Sequence, residues 1–387
     1  MGIFNLQKYN LKPIILFIVP YFYLYIAIIS SYSESNISLG SRSPYLIILT
    51  IIGFILAKSN FGNSLIRSGA LLSLYMVISA FLCQIPNLGV YSASVSIWVV
   101  TFYLSYNMHF YKADINLLGY LGAIMTNILG FLYINLSNAD SFSMLSQNQA
   151  VAGYNSIYYV LMAIPFIFLI NNKFHVLLFS ILPLWAFIES QKTTCILTGI
   201  VMLLYYFYST LKAMGIMRKS VLLLVVSVSI FLIFQNTDFS ETFLNIKDDI
   251  DSGGNGRSEL ALQIIDILYN DSSAFELLLG HGANSIVGHI GLGAHNDFLE
   301  TLFNFGIIGL ILYLSFWRHL IKNIYKFQFN NNLKKAYIIS LITFFFASAA
   351  SKLLETQVQM LLPAILWGIL LQANNVQHAN RNYYSQQ

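Results

Sequence analysis

Between Gln235 and Asp297 the chain carries Arg257 behind a glycine-rich turn, then Leu279-Gly280-His281-Gly282, then Gly291-Leu292-Gly293-Ala294-His295-Asn296 with Glu300 following. Histidine titrates near neutral pH and can take a proton from a hydroxyl, which makes His295 a candidate general base. Asn296 and Glu300 are four residues apart and share a face if the segment is helical, where either could orient a hydroxyl or the imidazole. His281 and His289 compete with His295 for the role, and the local sequence does not separate the three. Gly280 and Gly282 let the backbone turn tightly or approach a ligand closely.

Arg257 follows Gly253-Gly254-Asn255-Gly256 and opens a stretch, Ser258 to Tyr269, with helical periodicity. Leu260, Ile264, Ile265 and Leu268 would form its apolar face, opposite Glu259, Gln263 and Asp266. A helix N-terminus carries partial positive charge and free N–H groups, and a guanidinium adds a planar fork suited to phosphate. The stretch thus reads as a pyrophosphate cradle; the competing reading is an arginine paired with the acids around it. Lys192, in Glu189-Ser190-Gln191-Lys192, lies between two apolar runs too close for an ordinary loop and offers a further cation, unless it pairs with Glu189. Lys352 and Glu355 pose the same question. Asp249-Ile250-Asp251 has the form of an Asp-x-Asp metal site, but no ligand cluster accompanies it, so no metal or other cofactor is expected. Cys83 and Cys195 are far apart and read as small core residues.

These residues must be held by a scaffold that is 57% hydrophobic and only 9% charged, too apolar to cover itself with polar groups in water. The expectation is an all-α polytopic membrane protein of twelve spans, at 14–31, 44–57, 68–85, 91–109, 115–136, 153–170, 174–189, 193–211, 220–235, 297–317, 336–353 and 356–372. The first run has no small-residue cleavage site after it and reads as a helix in its own right. Of the 20 lysines and arginines, only Arg42, Lys192, Lys247, Arg257 and Lys352 fall in one alternate set of connections. The positive-inside rule makes that set external and both termini cytoplasmic. The chain then divides into spans one to nine (1–235), a large external loop of acidic balance containing short helices (236–296), spans ten to twelve (297–372) and a polar, frayed cytoplasmic tail (373–387). No Walker loop, dinucleotide fingerprint, zinc signature or Gly-x-Ser-x-Gly occurs, and an acidic external loop argues against nucleic acid.

Taken in order, Gly256-Arg257, Gly280-His281-Gly282, His295-Asn296, Glu300, Gly306 and Gly309 resemble the O-antigen ligase and polymerase family, bacterial enzymes that join lipid-linked glycans outside the inner membrane. The likeness is clearest from Gly256 to Leu312; the remaining spans match in general character. Two departures stand out. The family usually has a Ser-Arg pair at the outer end of an earlier span, where this chain has Ser190-Gln191-Lys192, and an aromatic often found after the loop arginine is missing.

The resemblance implies metal-independent glycosyl transfer at the periplasmic face between undecaprenyl-pyrophosphate-linked saccharides, with His295 as base and Arg257 and Lys192 holding the departing pyrophosphate. Asn296, Glu300, Gly280 and Gly282 would support them. It further implies a multi-pass inner-membrane protein of surface-polysaccharide (lipopolysaccharide) synthesis, surrounded by membrane lipid and working beside a chain-length regulator and a flippase. The polymerase is the first expectation, since an acidic loop offers few cations to a phosphorylated lipid A core; the ligase is the alternative. A polysaccharide flippase is the reading from another class. It fits twelve spans, but polar features gathered on one outer loop do not resemble midplane transport sites.

Overall fold

In the computed structural model the described residues are 18, 63–85, 88–108, 110, 112–137, 156–190, 192–211, 257–291, 293–327, 331–354 and 357–384. The expected spans at 44–57 and 220–235, and that at 14–31 apart from Ile18, lie outside them, as do Asp249, Asp251, the turn at 253–256 and Glu355.

All regular structure among the described residues is helical. In chain order the helices are α1 (Ser64–Leu82), α2 (Leu88–Asn107), α3 (Lys112–Ser137), α4 (Ile157–Ala163, continued by a 3-10 segment Ile164–Leu169), α5 (Lys173–Glu189) and α6 (Thr193–Leu211). Three short helices follow: α7 (Arg257–Asp266, widening into a π turn at Ile267–Asp271), α8 (Ala274–Leu279) and α9 (Ser285–Ile290). The chain closes with α10 (Asp297–Ile324), α11 (Asn331–Ala350) and α12 (Gln357–Tyr384). Among the described residues, four helical segments are long and apolar enough to cross a membrane: Ser64–Leu82, Asp114–Asn135, Asp297–Ile324 and Asn332–Ala350. Two shorter apolar ones cover Ile157–Leu169 and Thr193–Ser209.

The polar stretch expected to fray beyond Gln372 is instead helical to Tyr384. It contains neither glycine nor proline, and two asparagines tie it down: Asn374 Nδ2 donates to the Lys326 carbonyl (3.1 Å) and Asn375 Nδ2 to the Tyr106 hydroxyl (2.9 Å). α12 packs along α2, and α1 lies against both α2 and α10. Their shared core is aromatic: Trp98, Phe316, Trp317, Phe344 and Trp367 meet with ring centroids 4.8 to 6.4 Å apart. Two buried polar groups there are paired: Trp367 Nε1 donates to Ser340 Oγ (2.9 Å) and the Tyr337 hydroxyl to the Leu320 carbonyl (2.8 Å).

α10 is broken. Gly306 has φ 64° and ψ −167°, a left-handed excursion that only glycine adopts without strain. The break frees carbonyls at the end of the first segment. Phe303 O accepts from His281 N (3.0 Å), Asn304 O from Gly282 N (2.9 Å), and Phe305 O from the Tyr75 hydroxyl on α1 (3.1 Å). Gly280, at φ 89°, abuts Gly306 backbone to backbone; a Cβ on either would strike the other segment's main chain. The sequence Gly280-His281-Gly282 is therefore a strap laid into a broken helix.

The contacts between connections fall into two groups. Tyr158 with Ala350, Asn284 with Lys352 and Tyr75 with Leu279 join segments at one end of the helices. Asn116 with Asn171, Asn171 with Asn332, and Lys326 with Asn374 join segments at the other.

Candidate functional site

α7 to α9 fold over the first segment of α10 around a small apolar cluster of Ile264, Leu268, Ile286, Ala294 and Phe303. Ile264 and Leu268 face inward as the periodicity predicts, and Leu260 packs at the margin. Ile265, expected on the same face, is 51% exposed. The buried stripe is narrower than the pattern implied and rotates toward Ile267, which the π turn carries to the cluster. Arg257 is the first residue of α7, one turn from Leu260, and so stands at the head of a helix whose flank rests on the cluster containing Ala294, the neighbour of His295.

The segment 295–300 is built onto the turn between α11 and α12. Asn296 caps α10: its Oδ1 accepts from Phe298 N (2.9 Å) and Leu299 N (3.2 Å), while its Nδ2 donates to the Ala349 carbonyl (3.2 Å). With both ends of the amide engaged, Asn296 positions the helix start rather than a substrate hydroxyl. Asp297, buried, receives the backbone N–H groups of Leu353 (2.9 Å) and Leu354 (3.3 Å). Glu300, 3% exposed, accepts the backbone N–H of His295 through Oε1 (3.3 Å) and meets Lys352 Nζ through Oε2 (3.3 Å). Lys352 Nζ also donates to Asn284 Oδ1 (2.7 Å). Glu300 thus holds the backbone of His295.

His295 has φ 50°, a conformation that costs a non-glycine residue on the order of 1 kcal/mol or more. Its side chain is exposed. The other two histidines are otherwise occupied. The His281 ring, with 6% of its side chain exposed, stacks on Phe303 (centroids 4.4 Å), shares a hydrogen bond with Ser272 Oγ (2.8 Å) and lies 3.6 Å from Glu276. Burial pushes its pKa down, against an opposing pull from Glu276. His289 Nδ1 donates to the Ser285 carbonyl (2.9 Å), and its ring sits edge-on to His281 and Phe303. Glu276 belongs to a capping box with Ser273, whose hydroxyl and N–H hold its carboxyl below the usual range. The geometry therefore separates three histidines that the sequence left equivalent: two complete a folded loop, and one stands on an exposed, strained turn.

Lys192 reaches the same end of the helices. Its ammonium lies 4.8 Å from the centroid of Tyr158, and the Tyr158 hydroxyl donates to the Ala350 carbonyl (3.4 Å), next to the Ala349 carbonyl that Asn296 binds. Ser190 Oγ accepts from Lys192 N (3.3 Å) and shapes the turn that presents it. His295, Glu300, Lys352 and Lys192 thus lie at the same end of the helices, brought there by three connections. The arrangement offers a base and several cations on one rim, chemistry suited to proton removal next to an anionic group.

Several participants were missed or underweighted in the sequence. Lys352 was noted only as a lesser question. Asp297, a carboxylate opening an apolar run, was overlooked although an acid at that depth is costly without partners. Asn304, fully buried between two phenylalanines, accepts through Oδ1 from Ser285 Oγ (3.0 Å) and Ile286 N (3.2 Å) and ties α9 to α10. A comparison with known protein families finds no matching family model, and a comparison with characterised proteins finds no match.

Proposed function

We propose that this chain is a bacterial inner-membrane glycosyltransferase that polymerises undecaprenyl-pyrophosphate-linked oligosaccharide repeats at the periplasmic face. The observation that supports the reading is an exposed histidine with Lys192 and Lys352 at one end of apolar helices. The order of motifs from Gly256 to Gly309 supports it.

In the proposed reaction an acceptor hydroxyl gives its proton to His295 as its oxygen attacks the anomeric carbon of the donor sugar. The new C–O bond forms as the bond to pyrophosphate breaks, and the electron pair leaves with the carrier. Charge builds on that pyrophosphate, and the reading assigns Arg257 and Lys192, joined by Lys352, to stabilise it. Glu300 keeps Lys352 and the His295 backbone in register, and Asn296 and Asp297 anchor both to the α11–α12 turn. Pyrophosphate is already a good leaving group, so the step runs without an additional Lewis acid.

The test is glycan banding in a deletion strain complemented with wild type or His295→Ala. Single repeats on the lipid core after deletion, with a ladder restored by wild type alone, support the polymerase. Polymer accumulating on the carrier lipid with no attached repeats would instead identify a ligase. A ladder restored in full by His295→Ala would overturn the catalytic reading and favour a transport or assembly role.

A further inference from the structure

At the end of the helices opposite His295, α1 and α10 frame an open hollow of about 280 Å³ lined by Ser64, Arg67, Ser68, Leu71, Leu312, Ser315 and His319. Its polar wall is cationic and rich in hydroxyls. His319 Nδ1 donates to the Ser315 carbonyl (2.8 Å), which leaves Nε2 as the ring atom for any other contact. Ser64 opens α1, whose first-turn dipole adds positive potential. Arg318 and Lys322 follow on the exposed side of α10.

The other wall is aliphatic and continues out of the cavity. Leu71, Leu74 and Ile78 form one exposed stripe on α1, at 56, 55 and 46%. Ile307, Ile311 and Leu314 form another on α10, at 45, 59 and 48%. Both are helical-period faces, on two segments that are long and apolar enough to cross a membrane and that pack against each other. A cationic, hydroxyl-lined head joined to two aliphatic tracks matches a molecule with a phosphate at one end and two acyl chains.

We propose that this cavity is a binding site for an anionic phospholipid, with the phosphate held by Arg67, His319 and Ser64 and the acyl chains lying along the α1 and α10 stripes. The cation-rich side of a membrane protein faces the leaflet where anionic lipids bind basic pockets between helices, and this cavity lies on that side by the lysine and arginine pattern. Free phosphate uses the cationic wall alone, and a zwitterionic phospholipid sets its own ammonium against the cations that face its phosphate.

The experiment is native mass spectrometry of the full chain released from detergent after equilibration with phosphatidylglycerol or phosphatidylcholine of identical acyl chains. Wild type is expected to retain phosphatidylglycerol about five-fold more, on the scale of one basic contact to an anionic surface. Arg67→Gln and His319→Gln should each lower that preference, and Lys173→Gln, which removes a charge outside the cavity, should leave it. Size-exclusion profiles check that each variant is folded; if Arg67→Gln alone fails to fold, His319→Gln carries the comparison. Equal retention of the two lipids by wild type, an undiminished preference in both cavity variants, or displacement of phosphatidylglycerol by millimolar inorganic phosphate would overturn the proposal. Binding is read without glycan synthesis, so its failure and that of the glycosyl-transfer reading are told apart.

Discussion

Lys352 Nζ lies 3.3 Å from Glu300 Oε2, joining the turn after α11 to the first turn of α10 across fifty-two residues of sequence. The carboxylate is almost wholly enclosed, and the lysine is about a quarter exposed. Removing the cation leaves a buried negative charge, which costs more than the pair contributes. Lys352→Met should therefore destabilise the chain by about 2 kcal/mol, discounted for the solvent that reaches the lysine. Lys352→Met with Glu300→Gln should recover part of that loss. A double-mutant cycle on thermal unfolding in detergent checks it, and additive effects would show the two side chains to be uncoupled.

His295 and His281 should fail in opposite ways. His295→Ala is expected to cut glycan polymerisation by roughly 10²–10⁴-fold, the usual contribution of a general base. Its melting temperature should stay at the wild-type value, because the ring is exposed. His295→Gly should relieve the positive-φ strain and still be inactive. His281→Ala should melt earlier, having lost the Phe303 stack and the Ser272 bond. Activity assays paired with melting curves on the same preparations decide the matter; an active His295→Gly would remove the imidazole from the mechanism.

The strap should tolerate no side chain. At Gly280 or Gly306 an added Cβ meets main-chain atoms at a positive φ, so relaxation means moving one segment off the other. Either Ala variant should lose about 3 kcal/mol or more. Gly288→Ala, with open space around it, should be close to neutral. Limited proteolysis of the segment 257–296 would report the difference as loss of protection in the first two variants only.

Acid should loosen the loop through His281. Its folded pKa lies below the ordinary value near 6.5, so the unfolded loop binds the proton more readily. The stabilisation is complete above that ordinary value and is lost as pH falls toward the folded one. Glu276, whose folded pKa is also depressed, acts in the same direction at lower pH. Protection against hydrogen exchange at residues 272–291, taken relative to the intrinsic rate at each pH, should fall from pH 7 to pH 5 in wild type, and His281→Asn should flatten that dependence. A flat wild-type profile would contradict the assignment.

The sequence made the apolar helices legible because their runs are long and uniform: α1, α3 and α10 begin or end within a few residues of the expected spans. It was less informative wherever a partner lies far along the chain. The helix beyond Gln372 is held by Tyr106 and Lys326, which no local pattern reveals. Gly280 and Gly306 were visible as glycines, but that each exists to admit the other is a tertiary fact. The same holds for Asn296, whose amide is consumed by a cap and by Ala349, and for Lys352, which acquires meaning only beside Glu300. The three histidines differ in what packs on them, and packing leaves no trace in a string of neighbours.

The break at Gly306 also dictates an order of assembly. Inserted alone, α10 would present the carbonyls of Phe303, Asn304 and Phe305 without donors, each a burden of several kcal/mol in hydrocarbon. Their donors come from His281, Gly282 and the Tyr75 hydroxyl, so the segment is complete only after the strap has folded against it and α1 is in place. The strap and the first segment of α10 are therefore completed together, and a copy with an unfolded loop carries α10 with those carbonyls unsatisfied.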